Sequence, residues 1–400
     1  MYPLENEQIT PIVARVLNIE DITTGGAEDK YLFRYRGKLY GESSTSYAQL
    51  SDNLRPFDIT PMFRDEDGTH TILLMDGTVK PSPSKKWVNL VLFLLTILSM
   101  IVGYTWWFSG LPVLDGEAIT VAIVLDSLKA GMFFTVSMLA ILLAHEFGHY
   151  FAARYHRTSV TLPYFIPFPI SPLGTLGAFI RLKEPPRNKR ILLDIGIAGP
   201  IAGLIVAIPI LLLGLSLSSV ELITVAPGQG IQMEGNSILY LLSKYIVFGQ
   251  LLPAPSSYEG LNPILYWVRY FFTGQPFPVG GLDVIISPIA WAGWAGLLVT
   301  ALNLIPAGQL DGGHISYVLF GKRITKFLPV ILVILVILGF FASSWWLFAA
   351  LIFLLGRFHA EPLDQITPLD SHRRTLAIIG LVLFFLVFTP VPLIMYTSGG

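Results

Sequence analysis

The stretch LAILLAHEFGHYFAA, residues 139–153, places ionisable side chains inside an otherwise apolar run. His145, Glu146 and His149 stand there among aliphatic and aromatic residues, with Tyr150 beside them. Ionisable groups are costly within a membrane segment, so those found there usually serve a function. The role of these three groups therefore depends on whether the run lies in a membrane.

Charged residues are distributed unevenly along the 400-residue chain. Residues 1–86 hold 23 of the 53 charged residues, and only 13% of the whole chain is charged. An average soluble domain contains roughly 25% charged residues. The distribution predicts a small soluble domain followed by a polytopic domain that lies in a lipid bilayer. The net charge of −1 leaves no basic surface to neutralise phosphates, which argues against nucleic acid as a partner.

The first 80 residues alternate short strand-like and helix-like pieces, which predict a small α+β module in 1–80. Residues 31–41 are rich in β-forming residues, and 44–57 has serine caps and a helical spacing of apolar residues. Residues 59–77 predict a hairpin, because DEDG supplies the turn. Residues 81–86 are interpreted as a linker that ends in two lysines.

The apolar runs after residue 86 predict about seven membrane spans. The predicted spans are 87–108, 129–153, 195–217, 286–305, a tight pair within 327–358, and 375–395. Basic residues flank these runs on one side if the spans alternate from an inner N-terminus, which is the positive-inside pattern. The N-terminus is then cytoplasmic and the loop 218–285 lies outside. Two apolar stretches of this loop, 237–252 and 261–272, predict interfacial or re-entrant helices.

The residues HEFGH fit the HExxH pattern of metal-binding helices. Positions four apart share a helix face, so His145 and His149 can reach one metal ion. Glu146 is placed to reach a water molecule bound to that metal. The chain has no cysteine, so a zinc site must use nitrogen and oxygen ligands. The alternative, two core histidines bonded to their neighbours, carries the cost of burying polar groups in lipid.

A catalytic zinc ion requires three protein ligands and an open position. The longer pattern HExxHxxGxxH is excluded, because Ala152 and Tyr155 replace its glycine and its third histidine. Some zinc proteases instead take a glutamate from a later helix. That class fits poorly, because Glu184, Glu221 and Glu234 lie in predicted loops or hairpins. Asp311, in NLIPAGQLDGGH (303–314), is the better candidate, because it follows the fourth span at the same predicted depth as the histidines.

HExxH in one span together with NxxPxxxxDG in a later one resembles the site-2 protease family of intramembrane zinc metalloproteases. The second motif is formed here by Asn303, Pro306, Asp311 and Gly312. The resemblance implies that one Zn²⁺ per chain is held by His145, His149 and Asp311. It also implies that Glu146 is the catalytic glutamate. A soluble N-terminal module and added C-terminal spans are similar to a bacterial and plastid branch of this family.

The resemblance implies a three-span core, here 129–153, 195–217 and 286–312. GIAGPIAG offers Gly199 and Gly203 as the small-residue motif that the third core span often carries. GTLGAFI resembles the membrane-associated β element of the family. The candidates for pairing with an unwound substrate strand are Gly174, Leu176, Gly177 and Ala178. An ordinary amphipathic loop is the alternative for this segment.

The predicted fold class is an all-α polytopic membrane protein of about seven spans with a small soluble α+β N-terminal domain. The chain is divided into a module (1–80), a linker (81–86), a first span with its outer loop (87–128), a metalloprotease core (129–320) and C-terminal spans (321–400). The roles of the N-terminal module and of the outer loop 218–285 stay open, as does the oligomeric state.

The resemblance implies regulated intramembrane proteolysis of a membrane-protein substrate with a transmembrane helix, near the cytoplasmic face of a bacterial plasma membrane. Zinc lowers the pKa of a bound water, and Glu146 accepts its proton. Asn303 and His314 are candidates for supporting the metal ligands or stabilising an oxyanion. For Asn303 the alternative is a bond between helices, and for His314 a bond to a backbone carbonyl near the headgroups.

Two other functions compete with proteolysis. A metal transporter would usually show repeated halves and polar residues through the membrane midplane, and neither is evident. A catalytically silent relative that only binds membrane proteins is disfavoured by the intact Glu146. Neither GxGD nor GxSG occurs, which removes the signatures of intramembrane aspartyl and serine proteases.

Overall fold

Helices predominate in the computed structural model, with four small antiparallel sheets between them. The structure describes residues 6–26, 28–66, 68–78, 83–108, 120–225, 230–356 and 361–397. Residues 81–82 of the predicted linker 81–86 and residues 109–119 after the first span lie outside the described residues.

The N-terminal module has the predicted α+β fold. Its elements are α1 (Asn6–Val13), β1 (Leu17–Thr24), β2 (Phe33–Leu39), α2 (Ser43–Leu54), β3 (Ile59–Glu66) and β4 (Thr69–Asp76). The sheet is antiparallel with the order β1-β2-β4-β3, and β3 and β4 form the predicted hairpin. Tyr35, Phe63 and Ile72 are buried in the core of the module together with Leu50 of α2. Gly68 adopts a φ of +87° at the hairpin turn, a conformation that favours glycine.

Three long apolar helices follow, and their length and composition allow each to cross a membrane. They are α3 (Lys86–Phe108), α4 (Val121–Tyr155) and α5 (Lys189–Ser216). They coincide with the first three predicted spans. At 1.5 Å per residue α4 is about 52 Å long, well beyond the roughly 30 Å of a hydrocarbon core. The HEFGH residues therefore lie near one end of α4 instead of at its middle.

A β-hairpin lies between α4 and α5. It consists of β5 (Tyr164–Pro167) and β6 (Thr175–Phe179), and it is held against α3. Asn89 of α3 donates to the carbonyl oxygens of the two residues before β5, and Ser99 donates to the carbonyl of Gly174 at 2.6 Å. These hydrogen bonds fix the hairpin to α3 on one side.

The predicted outer loop forms two helices and three strands. The elements are β7 (Ser219–Leu222), β8 (Gly230–Glu234), α6 (Ile238–Phe248), α7 (Pro263–Thr273) and β9 (Leu282–Ile285). The two helices agree with the predicted apolar stretches 237–252 and 261–272. β7 pairs with β9 in an antiparallel sheet.

The apolar helices after this loop are shorter than predicted. They are α8 (Pro288–Asn303), α9 (Asp311–Phe320), α10 (Leu328–Gly339), α11 (Ser344–Leu355) and α12 (Ser371–Val387). The predicted pair within 327–358 is present as α10 and α11, but each helix is only about 18 Å long. Two helices of this length do not each cross about 30 Å of hydrocarbon, so the prediction of about seven spans is not confirmed.

The prediction of a last span over 375–395 is wrong in its second half. The helix α12 ends at Val387, and β10 (Leu393–Thr397) follows and pairs antiparallel with β8. Pro390 and Pro392 lie between the two elements. Proline lacks the backbone N–H that would continue the helix.

Small residues bring α4, α5 and α8 into close contact. A Cβ atom on Gly214 of α5 would lie 2.1 Å from the backbone nitrogen of Ala290 in α8. A Cβ atom on Gly148 of α4 would lie 2.5 Å from the carbonyl oxygen of Ala198 in α5. The backbones can approach this closely because glycine has no side chain.

The N-terminal module is docked on the segment that precedes α12. Phe63 of β3 donates its N–H to the carbonyl of Leu363 at 2.8 Å and accepts from the N–H of Gln365 at 3.1 Å. The hydroxyl of Ser43 donates to the buried carboxylate of Asp364 at 2.8 Å. The edge of the module's sheet therefore continues into the membrane domain.

Candidate metal centre

The two histidines of HEFGH lie one turn apart on α4 and face α5. His145 is 3% exposed, and His149 is 7% exposed. The Nδ1 atom of His149 lies 2.7 Å from the carbonyl oxygen of Ile195, so this nitrogen carries the proton and donates. The lone pair on Nε2 of the same ring is then free to bind a metal ion.

Asp311 reaches the histidines through a tight turn between α8 and α9. It is the first residue of α9 and closely follows the end of α8 in the chain. A Cβ atom on Gly312 would lie 1.9 Å from the carbonyl oxygen of Leu304, and Gly308 has a φ of +56°. The glycines of the DG motif thus allow the chain to fold back, and this brings the Asp311 carboxylate to α4.

Three potential ligand atoms converge in this position. The Nε2 atoms of His145 and His149 are 3.2 Å apart. The two carboxylate oxygens of Asp311 lie 3.3 Å from these nitrogens, one oxygen facing each ring. Ligand atoms around a tetrahedral zinc ion with bonds of about 2.0–2.1 Å are separated by about 3.3 Å. The donor set and its spacing therefore fit zinc.

Glu146 lies beside this group and is also buried. The backbone N–H of Ile180, just after β6, lies near its carboxylate, and both residues line the same cavity. Among the described residues its Oε2 atom has no hydrogen-bond partner, although it is shielded from solvent. A buried carboxylate oxygen without a partner is costly, which indicates a position meant for a water, a substrate or a metal.

The remaining predicted side chains also line this region. The two histidines, Glu146 and Asp311 line a cavity of about 180 Å³. Asn303, the last residue of α8, places its Nδ2 atom 3.2 Å from Nε2 of His145. His314 lines the same cavity from α9, packed against Gly196 of α5. Sequence analysis therefore identified both as residues of one site.

The candidate strand-pairing residues differ in position. Gly174 precedes β6 and packs on α3, where a Cβ atom would lie 2.3 Å from Cα of Met100. Leu176 is 61% exposed, and Gly177 has a φ of +100° with open space around it. Ala178 lines the cavity. Of the four, Ala178 is the one whose side chain lies at the candidate metal centre.

The backbone of this hairpin has a second consequence. The carbonyl of Arg181 and the N–H of Lys183 bond to the segment before β5. Successive residues of a strand point their polar groups to opposite sides, so those of Ala178 and Ile180 point away from that segment. The position of the Ile180 N–H near Glu146 agrees with this direction. The edge of β6 next to the cavity has no strand partner among the residues that the structure describes.

The two glycines proposed on α5 pack against the histidines. A Cβ atom on Gly199 would lie 2.1 Å from Nε2 of His149. A Cβ atom on Gly203 would lie 3.1 Å from Nδ1 of His145. The small-residue motif therefore leaves room for the imidazole rings as well as for the helix backbone.

Sequence analysis missed two features next to the site. Asp194 of α5 lies 2.8 Å from Nε2 of His156, and Arg373 of α12 contacts both carboxylate oxygens of Asp194 at 2.9 and 2.7 Å. A carboxylate in the first turns of an apolar helix was the signal for this network. The Ile180 amide was also missed, because a backbone group leaves no mark in a sequence.

Comparison with known proteins agrees with this geometry. The model of Peptidase family M50 matches residues 133–345. "Probable zinc metalloprotease EGY2, chloroplastic" of Oryza sativa subsp. indica is 25% identical over 374 residues, which are 90% of this chain and 61% of that protein. "Probable zinc metalloprotease EGY1, chloroplastic" of Arabidopsis thaliana is 30% identical over 344 residues, 80% of this chain and 56% of that protein. The chain thus spans less than two thirds of the length of these relatives. No solved structure matches it significantly.

Proposed function

Because the chain belongs to peptidase family M50, the site-2 protease family, we propose that it hydrolyses a peptide bond in a transmembrane segment of a membrane protein. The observation that carries the proposal is the convergence of His145, His149 and Asp311 around one point, with Glu146 beside them in the same cavity. Relatives named zinc metalloproteases and three helices long enough to cross a bilayer support it.

The residues of the site divide the chemistry among them. Zinc, when bound by the two histidines and Asp311, supplies a Lewis acid that polarises a carbonyl and acidifies water. Glu146 lies near the Ile180 amide, and its unpaired Oε2 accepts a proton and passes it to the leaving amine. The amide group of Asn303 is placed to donate to a developing oxyanion.

The substrate must present its peptide bond as an extended segment, because a helix hides its backbone groups in its own hydrogen bonds. The free edge of β6 offers the partner for such a segment. Ala178 and Ile180 direct their backbone groups towards the cavity, so a strand added there would lie beside Glu146. This proposed strand addition follows from the same hairpin that lies near the catalytic carboxylate.

The proposed position of cleavage is near the inner face. His149 lies about 9 Å before the end of α4 at Tyr155, and Arg154 and Arg157 stand at that end. Basic residues mark the inner side of a membrane. The relatives carry "chloroplastic" in their names, so they do not support the predicted bacterial plasma membrane. The membrane association itself is supported by the three apolar helices.

The first experiment measures zinc per chain for the purified protein and for Asp311→Ala and Glu146→Gln. We expect about one zinc ion in the wild type and in Glu146→Gln, and a loss of at least about tenfold in occupancy for Asp311→Ala, because two ligands hold zinc poorly. Cleavage of single-span model substrates in detergent should be lost in Glu146→Gln although its zinc is retained. A zinc-free wild type after supplementation at neutral pH would contradict the proposed function.

A further inference from the structure

A second cavity, of about 320 Å³, lies near the other end of α8. The ends of α3 and α8 and the strands β7, β8 and β9 surround it. We call it the outer pocket and define it by Phe108, Glu221, Gln232, Glu234, Asp283 and Trp291. From Trp291 to Asn303 the helix α8 advances about 18 Å, so the outer pocket is separate from the metal centre.

Two buried carboxylates face the outer pocket. Glu234 is 6% exposed and Asp283 is 3% exposed, and both line the cavity. Behind them the fully buried Lys244 places its Nζ atom 3.6 Å from Glu234 and 3.2 Å from Asp283. One ammonium thus faces two carboxylates, and the hydroxyl of Tyr240 also donates to Glu234 at 2.7 Å. Burial raises the pKa of Glu234, an effect that the charge of Lys244 opposes.

All the charged side chains among the described lining residues of the outer pocket are carboxylates. Glu221 adds a third, exposed carboxylate, and none of the described lining residues is Lys, Arg or His. The aromatic rings of Phe108 and Trp291 form a wall, with centroids 4.7 Å apart. Aromatic faces next to carboxylates favour an organic cation over a small hydrated ion.

Trp291 provides an observation that is independent of the charge. Its side chain is 5% exposed, and its Nε1–H has no hydrogen-bond partner within the described part of the chain. An indole N–H is a donor only, so its partner must be an acceptor such as a carbonyl oxygen. Trp291 lines the pocket, so a bound carbonyl could satisfy this donor, and the two carboxylates are acceptors for a cation.

Two strands that line the outer pocket also have unused edges. β7 pairs only with β9, and β8 pairs only with β10, among the strands that the structure describes. Each strand therefore keeps an edge on which an extended peptide could bond. A peptide carries both a cationic side chain and carbonyl oxygens, which a simple amine does not.

From these contacts we propose that the outer pocket binds the basic side chain, lysine or arginine, of an extended peptide segment. The cationic group lies against the carboxylates of Glu234 and Asp283, and a carbonyl of the same segment accepts from Nε1–H of Trp291. The proposal goes beyond proteolysis, because it concerns binding alone. Its test uses the Glu146→Gln chain and needs no cleavage, so the failure of either proposal leaves the other unaffected.

The test measures the affinity of acetylated, amidated pentapeptides Gly-Val-Xaa-Val-Gly for the full chain in detergent by calorimetry. The residue Xaa is arginine or citrulline, which has nearly the same shape but no charge. We expect the arginine peptide to bind at least about tenfold more tightly, the effect of one charge-assisted hydrogen bond. Equal affinities, or no binding of the arginine peptide, would overturn the proposal.

Variants of the lining locate the site without disturbing Lys244. Gln232→Lys introduces a competing ammonium and should abolish the preference for arginine, whereas Gln232→Met, of similar size, should retain it. Trp291→Phe removes the N–H group together with part of the aromatic ring and should weaken both peptides by a similar factor. A preference unchanged by Gln232→Lys would place the binding elsewhere. Ethylguanidinium that binds as tightly as the arginine peptide would refute the peptide part of the proposal.

Discussion

At the scale of single residues, the candidate metal centre requires a residue without a side chain at position 199. The missing Cβ atom of Gly199 would fall 2.1 Å from Nε2 of His149 and 2.4 Å from Cδ2 of the same ring. Such a distance is far inside any van der Waals contact, and the neighbouring atoms are held by packed helices. The imidazole would have to rotate or the two helices would have to separate.

We therefore expect Gly199→Ala to lose most of its zinc and to destabilise the fold by about 1–3 kcal/mol, the usual cost of overpacking. Gly203→Ala should be milder, because its Cβ atom would lie 3.1 Å from His145 and needs only a small shift. Zinc per chain and thermal unfolding measure both effects. Ile205→Ala, at an exposed position of the same helix, is the control. Full zinc occupancy in Gly199→Ala would show that the ring is not fixed as described.

The residue scale is also where sequence reasoning succeeded best. The spacing in HExxH follows the period of a helix, so His145 and His149 were assigned to one face from the sequence alone. Asp311 came from a motif, and the structure brings it to the two histidines. The unpaired Nε1–H of Trp291 had no such signal, because a tryptophan in an apolar helix gives no hint of the partner of its N–H.

At the scale of elements, β6 is the strand whose backbone is proposed to bind the substrate beside Glu146. The N–H of Ile180, one residue beyond β6, lies near Glu146, and the polar groups of Ala178 point to the same side. Proline at 178 removes one N–H from this edge and leaves the bonds of Arg181 and Lys183 to the other side in place. The change therefore tests strand addition separately from the hairpin itself.

Ala178→Pro should reduce cleavage by about tenfold or more, because one backbone hydrogen bond to the substrate is lost and an extended segment docks less well. Zinc content and the unfolding temperature should stay close to the wild type. Ala178→Val retains the N–H and is the matched control. Cleavage at the wild-type rate in Ala178→Pro would count against strand addition at this edge.

Elements were predictable where the signal is local. The apolar runs predicted α3, α4 and α5, and the DEDG turn predicted the hairpin of β3 and β4. The C-terminal strand was missed because its partner lies far away in the chain: Leu393 pairs with Glu234. The local sequence around it is apolar, and without knowledge of β8 it looks like the end of a membrane helix.

At the scale of the whole molecule, the docking of the N-terminal module depends on few polar contacts. The Nη1 atom of Arg64 donates to the carbonyls of Pro362 and Leu363 at 3.2 and 2.9 Å. Glu361 lies 3.7 Å from Arg64 and 3.1 Å from Lys322. Burial alone would raise the pKa of the Glu361 carboxyl, but Lys322 and Arg64 lower it below its ordinary value.

This shift gives the docking a pH dependence whose sign is fixed. A carboxyl with a lowered pKa in the folded state stabilises that state above its ordinary pKa of about 4.3, and the contribution is lost as the pH falls towards the lower value. Hydrogen exchange in segments 59–66 and 361–367, corrected for intrinsic rates, should show protection at about pH 6 that falls below about pH 4. Glu361→Gln should be less protected at about pH 6, and its protection should fall less than that of the wild type as the pH is lowered below about 4. Identical profiles for the two chains would exclude Glu361 from the docking.

The helix α8 carries Asn303 of the metal centre at one end and Trp291 of the outer pocket near the other, about 18 Å apart along its axis. A packed helix does not change its length, so the distance between these two residues is fixed. A polypeptide that binds both the outer pocket and the metal centre would need about 12 residues between the two contacts if that stretch is helical. It would need about 5–6 residues if the stretch is extended. If both proposals hold, the distance from the outer pocket would set the position of cleavage, whatever side chains lie between.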